Sequence, residues 1–152
     1  MSLKKIILII VTIFYFSNSF AVVVISMSTD GKYVVAGGGS GSDVYLYNTE
    51  AKKVTKVSHK DINFASPNFI NGTHNFIYQD IDNKVYVVNA DTKKVIKSFQ
   101  VPAVNVKGYE GRQNIFAQSM NKALDTYAYV SVGDAINISK IKGNKIVSNF
   151  RY

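Results

Sequence analysis

Residues 44–56 read VYLYNTEAKKVTK, and residues 85–97 read VYVVNADTKKVIK. Aligning Asp43–Val57 with Lys84–Ser98, without a gap, gives seven identities in fifteen positions. They are Val44/Val85, Tyr45/Tyr86, Asn48/Asn89, Lys52/Lys93, Lys53/Lys94, Val54/Val95 and Lys56/Lys97. The offset is 41 residues. Carried upstream unchanged, it lays STDGKYVV (28–35) over FINGTHNF (69–76). A third, weaker copy is expected at an offset of 51, where AINISKIKGNKIVSNF (135–150) lies over KVYVVNADTKKVIKSF (84–99). It preserves apolar character at Ile136, Ile138, Ile146 and Phe150. The ten additional residues are placed in an extended loop around 104–113.

Around these copies, short runs rich in Val, Ile, Tyr and Phe recur, broken by Gly, Asn and Asp, and no segment after residue 21 shows a helical period. Strands are expected over 22–28, 33–37, 43–48, 53–58, 64–69, 74–79, 84–89, 94–100, 113–118, 126–132, 135–140 and 145–150. TDGK (29–32), NGTH (71–74), IDNK (81–84), VGDA (132–135) and KGNK (142–145) carry residues that accept positive φ cheaply, as tight hairpins require. Four strands recurring about every 40 residues are the pattern of propeller blades. VYLYN and VYVVN are apolar on both alternating faces, which suits a sheet sandwiched between neighbours. The last strand of each unit, KVTKV, KVIKSF or KIVSNF, is more polar. Lysine on an outer edge discourages pairing with another chain.

The N-terminus has a different character. Two lysines in MSLKK precede the eleven apolar residues IILIIVTIFYF, and SNSFA then places Ser19 and Ala21 at the minus-three and minus-one positions. This is the layout of a cleaved secretory signal peptide over 1–21, with cleavage after Ala21. An anchor would need roughly 20 apolar residues, and Ser17-Asn18-Ser19 interrupts the run too early. The mature chain, 22–152, is therefore expected to be secreted or periplasmic, without a transmembrane span. Its repeat units fall near 22–62, 63–103 and 104–152. The absence of cysteine leaves it to ordinary core burial, and removes thiol nucleophiles and Cys-based zinc sites. Removing Lys4 and Lys5 from the formal +8 leaves about +6, spread over the chain with only two arginines, Arg112 and Arg151. No basic arm for nucleic acid is present.

ISMSTDGKYVVAGG resembles the first half of a bacterial propeller repeat, and VYVVNADTKKVIKSFQV resembles the tail of a YVTN-type repeat. The resemblance covers about residues 22–150 and implies an all-β, WD-repeat-like or quinoprotein-like propeller. The chain has no Trp and no Gly-His pair before any unit, so the Trp-Asp hydrogen-bond network of the WD-repeat family transfers to no residue here. Three blades do not close a ring. The expected architecture is therefore an incomplete propeller: the start of a longer one, or one completed by further copies or a partner. A β-sandwich is the non-propeller alternative. An open stack would leave apolar faces bare, so a marginal or self-associating chain is expected.

No catalytic, metal or cofactor constellation emerges. GGGSGSD (37–43) lacks the Gly-Lys-Ser/Thr ending of a phosphate loop and precedes a strand. DIDN (80–83) places Lys84 where a third calcium ligand would fall, so a hairpin turn is expected. His59 and His74 are the only histidines, and without a matched carboxylate pattern both are expected in surface or structural roles. The serines sit in no nucleophile elbow. What remains is charge: Lys52, Lys53, Lys93 and Lys94, with Lys142 and Lys145 behind them, fall at turns of successive units. Side by side they would form a rim able to attract an anionic envelope component or an acidic protein. Solvated turn tips are the plainer alternative. The functional expectation is a non-enzymatic exported binding scaffold, possessing no cofactor and acting through a protein partner or self-association. Against it stand an N-terminal fragment of a larger propeller, such as a quinoprotein-like dehydrogenase, and an adhesin-like repeat protein.

Overall fold

A computed structural model of the protein describes residues 24–37, 43–58, 67–102, 117–131 and 135–152. The expected signal peptide with its expected cleavage after Ala21, His59 and the loop expected near 104–113 lie outside the described residues. Twelve strands form three four-stranded antiparallel sheets, each in simple sequential order. Sheet one holds β1 (Val24–Met27), β2 (Tyr33–Gly37), β3 (Tyr45–Asn48) and β4 (Lys53–Lys56). Sheet two holds β5 (Asn68–Phe69), β6 (Asn75–Gln79), β7 (Lys84–Asn89) and β8 (Lys94–Gln100). Sheet three holds β9 (Ala117–Met120), β10 (Thr126–Ser131), β11 (Ala135–Lys142) and β12 (Lys145–Arg151). Among the described residues there is no helix, and none long and apolar enough to cross a membrane.

The first strands of the three sheets meet along one line. Ser26 Oγ donates to Asn68 Oδ1 at 3.0 Å and accepts from the Phe69 amide at 3.1 Å. Asn68 Nδ2 in turn donates to the Gln118 carbonyl at 3.0 Å. Hydrogen bonds from β1 to β5 to β9 thus put these strands innermost and leave β4, β8 and β12 as outer edges. Those outer edges carry the lysines of the repeats, which keep them from pairing further.

Blades rest face on face. Blade 1 turns Tyr33, Val35, Val44, Leu46 and Val57 toward Phe69, Phe76, Tyr78 and Val88 of blade 2, all buried in one cluster. The opposite face of blade 2, with Ile77, Val85, Val87 and Phe99, is buried against Tyr127, Tyr129 and Ile141 of blade 3. This explains why VYVVN is apolar on both faces: alternate residues of β7 serve two different interfaces. Rings carry much of the packing. Phe99 meets Tyr127 edge-on at 5.2 Å, and Tyr78 stacks on Tyr86 at 5.1 Å. Fully buried side chains such as Phe99, Tyr127 and Tyr78 each contribute about 1.5–3 kcal/mol relative to exposure.

The pairing register corrects the uniform offset of 41. Equivalent hairpin bonds run from Ser28 N to Tyr33 O, Ile70 N to Asn75 O and Asn121 N to Thr126 O. They make Tyr33, Asn75 and Thr126 equivalent, an offset of 42 and then 51. On the third strands, Thr49 N, Ala90 N and Ile141 N bond back to Lys32 O, His74 O and Asp125 O, which gives 41 and then 51. Blade 1 therefore has one more residue than blade 2 between β2 and β3, in the glycine-rich stretch. A one-residue slip within a paired strand would reverse every face. Placed in a connection it costs nothing in the core.

The outer strand of blade 3 departs from the offset of 51. Ile136 and Tyr152 exchange both backbone bonds, and Ile138 lies opposite Phe150. In blade 2, Val85 lies opposite Phe99 and Val87 opposite Lys97. Tyr152, not Phe150, is thus the counterpart of Phe99, an offset of 53. The extra two residues preserve the faces, because strand side chains alternate with period two. β11 also runs on to Lys142, past Lys140, the counterpart of Asn89.

Candidate functional site

The lysines named from the sequence occupy matched turns. Asn48 Oδ1 accepts from the Ala51 amide at 2.8 Å, and Asn89 Oδ1 accepts from the Thr92 amide at 2.9 Å. Each asparagine folds its turn back so that Lys52 (φ 49°) and Lys93 (φ 59°) take the left-handed conformation. Lys52, Lys53, Lys93 and Lys94 are all exposed. Lys53 of blade 1 and Lys93 of blade 2 line one narrow cleft of about 80 Å³ with Tyr33, Asn48 and Thr55. The structure brings these two together across the blade junction. Lys142 and Lys145 face each other across a two-residue turn with Gly143 at φ 60°. Because β11 is extended, this tip projects beyond the level of the other two turns.

Beside this cleft lies a cluster that sequence inspection did not assemble. His74 Nδ1 is 2.8 Å from Asp91 Oδ2, and its Nε2 is 2.8 Å from Asp30 Oδ2. Asp30 belongs to the β1–β2 turn of blade 1; His74 and Asp91 belong to blade 2. Ionised carboxylates only accept, so satisfying both contacts requires a proton on each ring nitrogen, which makes the ring an imidazolium. Hydrogen bonds to Asp30 and Asp91 accordingly raise the His74 pKa above its usual value. Asp30 is held well below the carboxylate range by hydrogen bonds from Ser28, His74 and the Lys32 amide. Asp91 is lowered chiefly by His74 and also accepts from Tyr33 Oη at 2.9 Å. The Tyr33 and His74 rings pack T-shaped, with centroids 5.2 Å apart.

The cluster is a junction clamp. Thr29, Asp30, Gly72, Thr73 and His74 border an open cleft of about 380 Å³ beside it. Thr29 Oγ1 donates to Asn71 Oδ1 and accepts from the Gly72 amide, adding two further bonds across the same junction. With both nitrogens engaged by carboxylates, His74 is neither a free base nor a free metal ligand. Among the described residues no group of three His, Asp or Glu side chains converges as a metal site.

Asp80, weighed above as a calcium ligand, is buried and used locally. Its Oδ1 accepts from the Asp82 and Lys84 amides at 2.9 Å, and its Oδ2 accepts from Tyr86 Oη at 2.9 Å. The β6–β7 hairpin turn expected for DIDN is therefore built on this carboxylate. Burial, with Asp80 alongside, pushes the Tyr86 phenol up to about 12. Asp43, at the end of the glycine-rich stretch, accepts from Ser58 Oγ and pairs with Lys56 at 2.8 Å. The rest of that stretch, 38–42, lies outside the described residues.

No protein-family description matches the chain, and no curated protein resembles it in sequence. Solved structures do resemble it in fold. The WD40 repeats of RRP9 superpose with a TM-score of 0.57 at 16% identity, covering 86% of this chain and 36% of that one. The β-propeller domain of Cps50 (Swd1) from Myceliophteria thermophila gives 0.61 at 13% identity, covering 88% and 39%. Hydrazine synthase from Kuenenia stuttgartiensis gives 0.60 at 19% identity, covering 82% and 34%. The chain thus spans between about a third and two fifths of the proteins it resembles. At such identities the likeness concerns fold alone, and the fold is three four-stranded blades of an open β-propeller.

Proposed function

We propose that the chain is an exported, non-enzymatic propeller module that binds a macromolecular partner through its turn rim and bare blade faces. The observation that carries this reading is the convergence of Lys53 and Lys93 on one cleft at the junction of blades 1 and 2. Nearby acids are already engaged: Asp30 and Asp91 by His74, and Glu50 by Lys32 at 3.8 Å. The turn lysines are left to present positive charge outward. The chemistry this suits is an anionic surface, such as a layer of acidic lipid headgroups or lipopolysaccharide. Export is proposed on the leader-like layout of residues 1–21. Propeller likeness alone assigns no activity.

Each exposed charge contributes little, roughly 0.2–1 kcal/mol for a surface pair, so only the group acting together can hold a partner. Binding to anionic vesicles should fall steeply with salt. Replacing Lys52, Lys53, Lys93 and Lys94 together by Gln, with circular dichroism unchanged, should weaken binding far more than any single change. If the quadruple variant binds as well as the parent at low salt, the lysines are solubility devices.

A second reading draws on coverage: the chain spans less than two fifths of each structure it resembles. On that reading it is the N-terminal part of a longer propeller, and its bare faces meet further blades of the same polypeptide. Finding additional 40-residue units downstream of Tyr152 in the reading frame would establish it; an in-frame stop there would remove it.

A further inference from the structure

Both ends of the blade stack are bare and apolar. Blade 1 turns Ile25 and Met27 outward, 67% and 61% exposed, with Tyr45 and Tyr47 beside them. Blade 3 turns out Ile136, Phe150 and Tyr152, at 50%, 53% and 77%. These residues occupy positions that are covered elsewhere in the same chain. By the pairing register, Met27 is the counterpart of Phe69, and Tyr47 of Val88, both buried against blade 1. Ile136 is the counterpart of Val85, and Tyr152 of Phe99, both buried against blade 3. Blade 1 therefore presents the receiving half of a blade junction and blade 3 the advancing half.

We infer that a second copy of this chain closes both faces, head to tail, as a two-chain ring of six blades. This rests on the reading of the bare faces as interfaces, and it names their occupant. A second copy supplies both missing halves at once, in the geometry the chain already uses twice internally. Ring size selects the number of copies. Propellers close with four to eight blades, so two chains of three fit, whereas three chains would make nine. A two-fold axis along the ring makes both new junctions identical.

The internal junctions predict which residues meet. Val57 and Phe76 share the cluster between blades 1 and 2, and Phe99 contacts Tyr127 between blades 2 and 3. One step further in the same register, Tyr152 meets Val34 of the partner subunit.

Light scattering on the full chain after size exclusion should give twice the chain mass. Ile25→Lys with Met27→Lys, or Ile136→Lys with Phe150→Lys, should each raise the dimer dissociation constant at least about tenfold, as for the centre of an interface. Mixing the two variants should give a dimer weaker than the parent's but stronger than either variant's own, because one of its two junctions is then intact on both sides and the other carries lysines on both. The chain has no cysteine, so Val34→Cys with Tyr152→Cys offers an independent check: a bifunctional thiol reagent spanning about 10 Å, the spacing of stacked sheets, should yield a covalent dimer. A monomer at about 100 µM would overturn the proposal without touching vesicle binding by the lysine rim, which is measured separately. A blade 3 variant that remains fully dimeric, or cross-linking to an open ladder of oligomers, would also overturn it.

Discussion

His74 ties two blades together through a proton that it holds only over part of the pH range. Its pKa is raised by Asp30 and Asp91, so its contribution to stability is complete below the unfolded value near 6.5. That contribution is lost as pH rises through the higher folded value. Asp30 and Asp91 are lowered, so theirs is present above about 3.8 and lost as pH falls through their folded values. Stability should be greatest between these limits. In urea titrations, His74→Gln should remove the loss of stability expected of the parent as pH rises above about 6.5; a variant with the same loss would assign it to another group. The clamp was partly legible in sequence. Lys32/Glu50, His74/Asp91 and Asp125/Lys142 occupy matched positions and carry opposite charges in every unit. Asp30 was not legible, because its contact crosses blades 44 residues apart.

Turns and strand registers carry the repeat, and they differ in how plainly sequence exposes them. The β3–β4 and β7–β8 turns match residue for residue, so a gapless alignment finds them. The one-residue difference between β2 and β3 and the shifted β12 are fixed by backbone pairing, which keeps faces aligned while residue identities drift. Phe150 illustrates the consequence: alignment sets it over Phe99, yet it is 53% exposed while Phe99 is 1% exposed. Phe99→Ala should therefore cost about 3–5 kcal/mol, whereas Phe150→Ala in dilute, monomeric protein should cost less than about 1 kcal/mol. Equal losses in chemical denaturation would restore the simple alignment. At the turn, Lys93 holds φ 59° with a full side chain, a conformation costing non-glycine residues about 1–2 kcal/mol. Lys93→Gly should stabilise by roughly 0.5–1 kcal/mol, after the greater freedom of glycine in the unfolded chain. A loss of that size would mean that the turn takes another form in solution.

At the scale of the whole molecule, the two-faced apolar strands were the decisive sequence signal, since only a sheet covered on both sides needs them. They called for stacked blades and for bare faces at the ends of an open stack, and the structure has both. Which partner covers those faces is not written in local sequence, because a junction half looks the same whether its mate lies in one chain or in two. The central claim is the stacking itself, with blade 2 between blades 1 and 3. Nuclear Overhauser contacts in isotope-labelled protein test it most directly. The account predicts contacts from Phe99 to Tyr127 and from Tyr33 to His74, and none within one chain from Ile25 or Met27 to Phe99 or Tyr127. Intrachain contacts from Ile25 or Met27 to Phe99 or Tyr127 would place blade 1 against blade 3 as in a sandwich, and would contradict it.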